Sequence, residues 1–168
     1  MAGLSGSGKS TTAQQLAKQS HAIRLRSDAV RKHLAGIELH EKGGDDIYTP
    51  KMTDKTYSRL IELGVQLASR GDHIILDAKF DRQAKRQEAL SAAKAHDLPI
   101  VFLHCTAPPD VLKARVEQRS GDIADATAAI LAKQYMEPFI DTEPVVVIET
   151  TTGSAEQIQA LLSNVFPD

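Results

Sequence analysis

Residues 3–11 read Gly3-Leu4-Ser5-Gly6-Ser7-Gly8-Lys9-Ser10-Thr11, and this stretch decides the fold. It satisfies the pattern G-x-x-x-x-G-K-[ST]. Glycines allow the backbone to curl so that successive N–H groups turn inward on one anion. A helix starting at Lys9 adds the positive end of its dipole. Lys9 then reaches the β- and γ-phosphate oxygens of a nucleotide, and the Ser10 hydroxyl is a ligand type for Mg²⁺. Ser5, Gly6, Ser7, Gly8, Lys9, Ser10 and Thr11 are therefore the candidate binding residues for ATP with Mg²⁺. A flexible Gly/Ser-rich terminus is the alternative. Against it, the helical pattern that must follow is present, with Ala13, Leu16 and Ala17 on one face over 9–19.

Outward from the loop, helical and β-branched stretches alternate, the pattern of an α/β domain with a parallel sheet. Short apolar strands are expected at 22–26, 73–77, 100–105 and 145–148. Helices are expected at 28–34, 57–68, 82–95, from Pro109 to about Arg119, and at 125–136. A closing helix places Ala155, Ile158, Leu161, Leu162 and Val165 on one face. Residues 36–50 hold Gly36, Gly43, Gly44 and Pro50 without a clean period. They read as a long loop of the kind that serves as a lid or binding segment. No repeat, low-complexity tract or linker divides the 168 residues, so one domain over 1–168 is expected.

Composition removes several classes. Hydrophobic residues at 42% and charged residues at 25% exclude disordered and collagen-like chains. A net charge of −2 gives no global attraction to nucleic acid. Seven Phe and Tyr with no Trp make a poor stacking platform for a single strand. All basic residues lie at or before Lys133, a modest local excess that suits phosphates better than a polynucleotide. No run nears the ~18 apolar residues of a membrane span, and the start lacks the features of a signal peptide. A lone Cys105 points to a reducing, cytoplasmic setting. The six histidines show no H-x-x-x-H spacing.

A phosphate loop is shared by kinases, GTPases and motor ATPases. The GTPase signatures D-x-x-G and N-K-x-D are missing, since Asp77 leads into Ala78-Lys79-Phe80. The chain is short for the large ATPases. A small kinase remains.

Four further stretches follow in order: Leu25-Arg26-Ser27-Asp28-Ala29-Val30-Arg31-Lys32, Ile47-Tyr48-Thr49-Pro50, Ile75-Leu76-Asp77-Ala78, and Leu112 to Arg119. With them the sequence resembles the adenylate-kinase-like small kinases, among them polynucleotide 5′-kinase, chloramphenicol phosphotransferase and zeta toxin. It is most similar to a bacterial group sometimes fused behind an aminoglycoside-phosphotransferase-like domain. The resemblance implies a three-layer P-loop fold with sheet order 2-3-1-4-5 and a lid at about 115–136. It implies transfer of the γ-phosphoryl group of ATP to a hydroxyl of a small acceptor.

The same resemblance implies Asp28 as the base that takes the acceptor's proton. Lys9 and Arg119 join it as catalytic residues, with Arg115 and Arg119 neutralising phosphate charge from the lid. Arg31 would hold the acceptor, and Asp77 would sit near the acceptor or Mg²⁺, making Ser10 and Asp77 the candidate metal ligands. Lys79 departs from the small hydroxyl residue usual after Asp-Ala. With Arg82 it becomes a candidate for holding an acidic acceptor. On spacing alone other readings stand: Asp28 as a helix cap, Asp77 as a strand-end acid in solvent, and Lys79, Arg82, Lys85 and Arg86 as a solvated basic face. The rival functions are a 5′-hydroxyl polynucleotide kinase, a toxin-like sugar-nucleotide kinase, and a regulatory module that binds ATP without transfer.

In the order 2-3-1-4-5 the strand before the phosphate loop is central, yet Met1 and Ala2 supply only its last rung. An unpaired sheet centre strands backbone N–H and C=O groups in the core. The expectation is a domain clipped at its start or cut from a longer fusion, with about five to eight apolar residues belonging ahead of Met1.

Overall fold

Gly8, at φ 82°, turns the phosphate loop directly into α1 (Lys9–Ser20). The computed structural model describes residues 1–118, 132–152 and 154–165. Helix α2 (Ser27–Ala35) stops where Gly36 enters the left-handed region at φ 70°, its N–H meeting the His33 carbonyl while the Ile37 N–H meets that of Lys32. Helix α3 (Pro50–Ala68) has two start signals: Pro50 in its first turn, and a Thr49 side chain that accepts the Met52 N–H. Gly64 of α3 lets this helix close on the sheet, because a Cβ there would lie 2.9 Å from Leu76 Cδ2.

Two parallel pairs form the sheet. Strand β1 (Ile23–Arg26) pairs with β2 (Ile74–Asp77), and β3 (Phe102–Thr106) pairs with β4 (Val145–Glu149). Met1 and Ala2 run between the pairs. The Met1 ammonium donates to Leu76 O at 2.8 Å, Ala2 N–H to Leu103 O at 2.8 Å, and Cys105 N–H to Ala2 O at 2.9 Å. The spatial order β1, β2, residues 1–2, β3, β4 is the expected 2-3-1-4-5. Beyond this rung an apolar cleft of about 500 Å³ separates β2 from β3, lined by Val65, Ile74, Leu76, Ile100 and Phe102 among others.

Strand alternation divides the side chains between two cores. Met1, Ile75, Leu103, Cys105 and Ile148 cluster with Ala13 and Leu16 of α1 and with Ile158 and Leu161 of α6 (Ser154–Val165). On the other face Ala2 and Phe102 meet Tyr57, Leu60 and Ile61 of α3 and Ala89 of α4 (Gln83–Ala95). Tyr57, Phe80, Phe102 and Phe139 stand in file there, with ring centroids 5.2, 5.6 and 5.9 Å apart. The result is three layers, helices on both faces of a parallel sheet.

Several expectations change. Helix α3 starts at Pro50, not at 57, because Thr49 and Pro50 supply its cap and first turn. Residues 132–136, expected to end a helix, are not helical, and the rest of 125–136 lies outside the described residues. Residues 36–50 contain a 3₁₀ turn at Asp45–Tyr48 with Ile47 buried. The loop is pinned by the buried Lys32, whose Nζ donates to Glu41 O at 2.6 Å and Leu39 O at 3.3 Å. The basic run after Asp77 is not a solvated face throughout, because Arg86 is 0% exposed. Arg86 pairs with Glu143 at 2.8 Å, donates to Phe80 O and Pro138 O, and lies 4.2 Å over the Phe139 ring. Helix α5 (Pro109–Glu117) ends just before Arg119, which lies outside the described residues together with most of the expected 115–136 lid. Among the described residues no helix is long and apolar enough to cross a membrane.

Candidate active site

The strand register aligns Arg26 with Asp77, so β1 and β2 end together, at the edge where α/β sheets carry their sites. The phosphate loop lies there. Gly6 and Gly8 have φ of 80° and 82°, values that only glycine adopts freely. A Cβ at Gly6 would stand 2.5 Å from Leu112 O, and one at Gly8 would stand 3.0 Å from the Thr150 side chain. No side chain caps α1 and no acid lies in its first turn, so its N-terminal dipole is left for an anion. The buried Ser7 hydroxyl has no hydrogen-bond partner among the described residues.

The outside of the loop is fastened by residues distant in sequence. Arg115 Nη1 donates to Gly6 O at 3.2 Å and Thr150 Oγ1 at 2.8 Å, while its Nη2 donates to Thr150 O. Thr150 Oγ1 in turn lies 2.8 Å from Ser7 O. Arg115 thus braces the loop backbone instead of facing the phosphates as the resemblance implied. Gln134 makes a two-point contact with Ser5, accepting its N–H at 2.9 Å and donating to its Oγ at 3.0 Å.

Asp28 occupies the second position of α2, and that helix has no side-chain cap hydrogen bond. The N-cap residue is Arg26, so Asp28 is not the N-cap that spacing alone allowed. Burial pushes the Asp28 pKa up from 3.8, against the pull of Lys9 and Arg26 and with a smaller push from Asp77. A carboxylate that is desolvated yet flanked by cations accepts a proton more readily than a solvated one.

Asp77 is buried at the end of β2, not placed in solvent. Its Oδ1 accepts the Ser10 hydroxyl at 3.3 Å, and its Oδ2 accepts Arg24 Nε at 3.0 Å and Arg24 Nη2 at 2.5 Å. One hydroxyl and one carboxylate oxygen facing each other fit Mg²⁺ arriving with nucleotide phosphates, since that ion keeps waters and uses few protein ligands. Among the described residues no group of three His, Cys, Asp or Glu could hold a metal by itself.

The remaining candidates divide. Arg31 is buried, with Nη1 on Ile47 O at 2.8 Å and Thr53 Oγ1 at 3.2 Å, and its guanidinium 4.9 Å from the Tyr48 ring centre. It ties the 36–50 segment to α2 and α3. Lys79 pairs with Asp81 at 3.6 Å, and its carbonyl accepts Gly3 N–H at 2.9 Å. The next residue, Phe80, holds φ 45°, a strained value for an aromatic side chain. Tyr57 Oη accepts the Phe80 N–H, and Arg86 donates to the Phe80 carbonyl. Arg82 is exposed and paired with Glu137 at 3.1 Å. Thr11 is exposed on α1. Arg24 and Gln134 are not singled out by the sequence, and Thr150 stands there only as part of a loop that in similar kinases passes over the adenine. Of the first two only Arg24 carried a signal, a charge at alternate spacing inside a strand.

The family model AAA_33, described as an AAA domain, matches residues 1–137. The uncharacterized protein Rv2004c of Mycobacterium tuberculosis (strain ATCC 25618 / H37Rv) is 33% identical over 132 residues, covering 76% of this chain. The same figures hold for the uncharacterized protein Mb2027c of Mycobacterium bovis. The chain spans about a quarter of these relatives, 26% of their length.

Among solved structures, a sugar kinase from Janibacter sp. HTCC2649 superposes with a TM-score of 0.72 at 22% identity, covering 99% of this chain and 92% of that one. The Mycobacterium tuberculosis APS kinase CysC, solved with AMPPNP and APS, gives 0.72 at 20% identity over 98% and 94%. A gluconokinase from Sinorhizobium meliloti 1021 gives 0.64 at 24% identity over 98% and 90%. The fold is the α/β fold of P-loop kinases, as the sequence implied.

Proposed function

The chain belongs to the AAA_33 family of AAA domains, and from that premise we propose that it transfers the γ-phosphoryl group of ATP to a hydroxyl of a small acceptor. One observation carries the reading: phosphate loop, Ser10–Asp77 contact and desolvated Asp28 meet at one sheet edge. Loop amides and Lys9 hold the β- and γ-phosphates. Mg²⁺, held through Ser10 and Asp77, would supply charge neutralisation across the phosphate oxygens. Asp28 orients the acceptor hydroxyl and takes its proton as the oxygen attacks phosphorus, while the β–γ bridging oxygen leaves with ADP. Arg119 is assigned to phosphate charge by the family resemblance. Arg31, locked to the 36–50 segment, shapes the acceptor pocket instead of presenting a free charge. Lys79, half-buried beside Asp81, is the residue for an acidic acceptor. Catalysis is then mainly positioning and preorganised charge.

The test is acceptor-dependent ADP release across polyols, sugar acids, adenylyl sulfate and 5′-hydroxyl oligonucleotides, the last standing for the polynucleotide kinase resemblance. A small hydroxyl compound should give the largest stimulation. Asp28→Asn should lower kcat by about 10²–10⁴ while ATP binding persists. The raised Asp28 pKa keeps the inactive protonated form to higher pH, so the acid limb of kcat/KM should lie above pH 3.8. Full activity in Asp28→Asn would remove the base assignment. ATP binding without acceptor-dependent turnover would leave a regulatory module.

A further inference from the structure

Strand alternation and register place Arg24 beside Asp77. Arg24 lies opposite Ile75, so Arg24, Ile75 and Asp77 share the sheet face that α1 covers. The contact is lopsided. A guanidinium meeting a carboxylate commonly forks onto both oxygens, but here Nε and Nη2 both go to Oδ2. Oδ1 is left to Ser10 Oγ at 3.3 Å. The Asp77 side chain is 2% exposed and that of Arg24 is 18%, and a carboxylate so deeply buried needs a cation against it.

We propose that Arg24 is a positioning residue that stands in for the divalent cation at Asp77 and makes cation binding depend on the nucleotide. The proposal rests on reading Ser10 and Asp77 as the cation's ligands. Arg24 fills one carboxylate oxygen and holds the other toward Ser10. Its fixed positive charge, at ion-pair distance, repels a second cation from the same carboxylate. Asp28 lies within electrostatic reach of Asp77, flanked by Lys9 and Arg26, but among the described residues no group of three His, Cys, Asp or Glu is assembled to outweigh that repulsion. Only a ligand bringing its own negative charge, the nucleotide phosphates, restores the balance. The site therefore takes Mg²⁺ with the nucleotide and not ahead of it.

The test uses the full chain without nucleotide, following Mn²⁺ by its electron paramagnetic resonance signal and Mg²⁺ by thermal melting. Wild type should bind Mn²⁺ at least about tenfold more weakly alone than with a non-hydrolysable ATP analogue. Its melting temperature in Mg²⁺ should equal that in chelator. Arg24→Met should melt lower than wild type in chelator, regain stability with Mg²⁺, and bind Mn²⁺ alone about tenfold more tightly than wild type. Arg24→Lys keeps the charge and should follow wild type. Arg24→Met with Asp77→Asn should lose the Mg²⁺ rescue.

Equal Mn²⁺ affinity with and without the analogue in wild type overturns the proposal even if Arg24→Met fails to fold. Unchanged Mn²⁺ affinity in a folded Arg24→Met also overturns it. A wild type that binds cation and analogue together but transfers no phosphoryl group removes the proposed reaction and upholds the role of Arg24.

Discussion

Arg86 and Glu143 form an ion pair in which both side chains are 0% exposed, and Arg86→Met tests how much of the fold hangs on it. The substitution removes the 2.8 Å bond to Glu143 Oε1 and the donors to Phe80 O and Pro138 O. It keeps apolar bulk over Phe139. Among the described residues Glu143 is left with the Ile140 N–H at 3.0 Å and Gln87 at 3.4 Å. Breaking one side of a buried pair costs about 3–5 kcal/mol. At about 2–4 °C per kcal/mol for a domain this size, the melting temperature should fall by roughly 6–20 °C. Glu143→Leu alone should cost a similar amount, since it strands the guanidinium.

The double variant should be more stable than the sum of the two losses allows, because no buried charge is left uncompensated. It should still melt below wild type, because two carbonyls have lost donors. Burial raises the Glu143 pKa, but the Arg86 bond and the Ile140 N–H outweigh it and hold the carboxyl below its usual 4.5. A depressed carboxyl pKa contributes stability that is full above about 4.5 and lost as pH falls through the folded-state value. The gap between wild type and Arg86→Met should therefore close in acid. Urea melts at neutral and acid pH measure both effects. A loss below about 1 kcal/mol, or strict additivity in the double variant, would refute the reasoning.

Two further outcomes follow from the backbone. Gly6→Ala forces a Cβ to 2.5 Å from Leu112 O at φ 80°, so titration with an ATP analogue should show at least about tenfold weaker binding. Gly36→Ala, at φ 70° with nothing within 4 Å, should cost about 1–2 kcal/mol of stability and leave that binding unchanged. At the cleft between β2 and β3, an apolar β-branched pentapeptide added ahead of Met1 should raise the melting temperature. The Met1 ammonium, whose pKa burial pushes below 8.0, then becomes an uncharged N–H donating to Leu76 O. A Gly/Ser pentapeptide of equal length should do less, and equal gains from both would deny the cleft a strand-binding role.

The fold was legible because its signals are local. The glycine spacing of the phosphate loop and the β-branched runs each act within a few residues, whereas the Thr49-Pro50 start of α3 lies inside a stretch that reads as loop, seven residues ahead of the expected helix. The sheet order required only a parallel sheet and the place of the loop within it. The 3₁₀ turn at Asp45–Tyr48 was hidden for the opposite reason. It is imposed by Arg31 and Lys32, whose bonds go to carbonyls up to sixteen residues away, and no period within 36–50 records them.

The site divides along the same line. Ser10 could be named from the loop pattern, and Asp28 and Asp77 from the family resemblance, since on spacing alone a helix cap and a strand-end acid stood as well. Arg24 and Arg86 could not, because a sequence shows that a side chain is charged but not that its partner lies 53 or 57 residues away. Counted along the chain, the basic residues gave a modest excess suited to phosphates, with a solvated face over Lys79 to Arg86. In the structure Arg31, Arg86 and Arg115 are instead turned onto carbonyls, and Arg24 and Arg86 onto carboxylates. A guanidinium with five donors can join several segments at once, and it does not lose its charge when buried. The arginines therefore set the shape within which one carboxylate, Asp28, is left with a raised proton affinity. In such a site a charge-preserving change at Arg24 or Arg86 should be tolerated far better than a neutral one of similar volume, the reverse of what a solvated basic face would show.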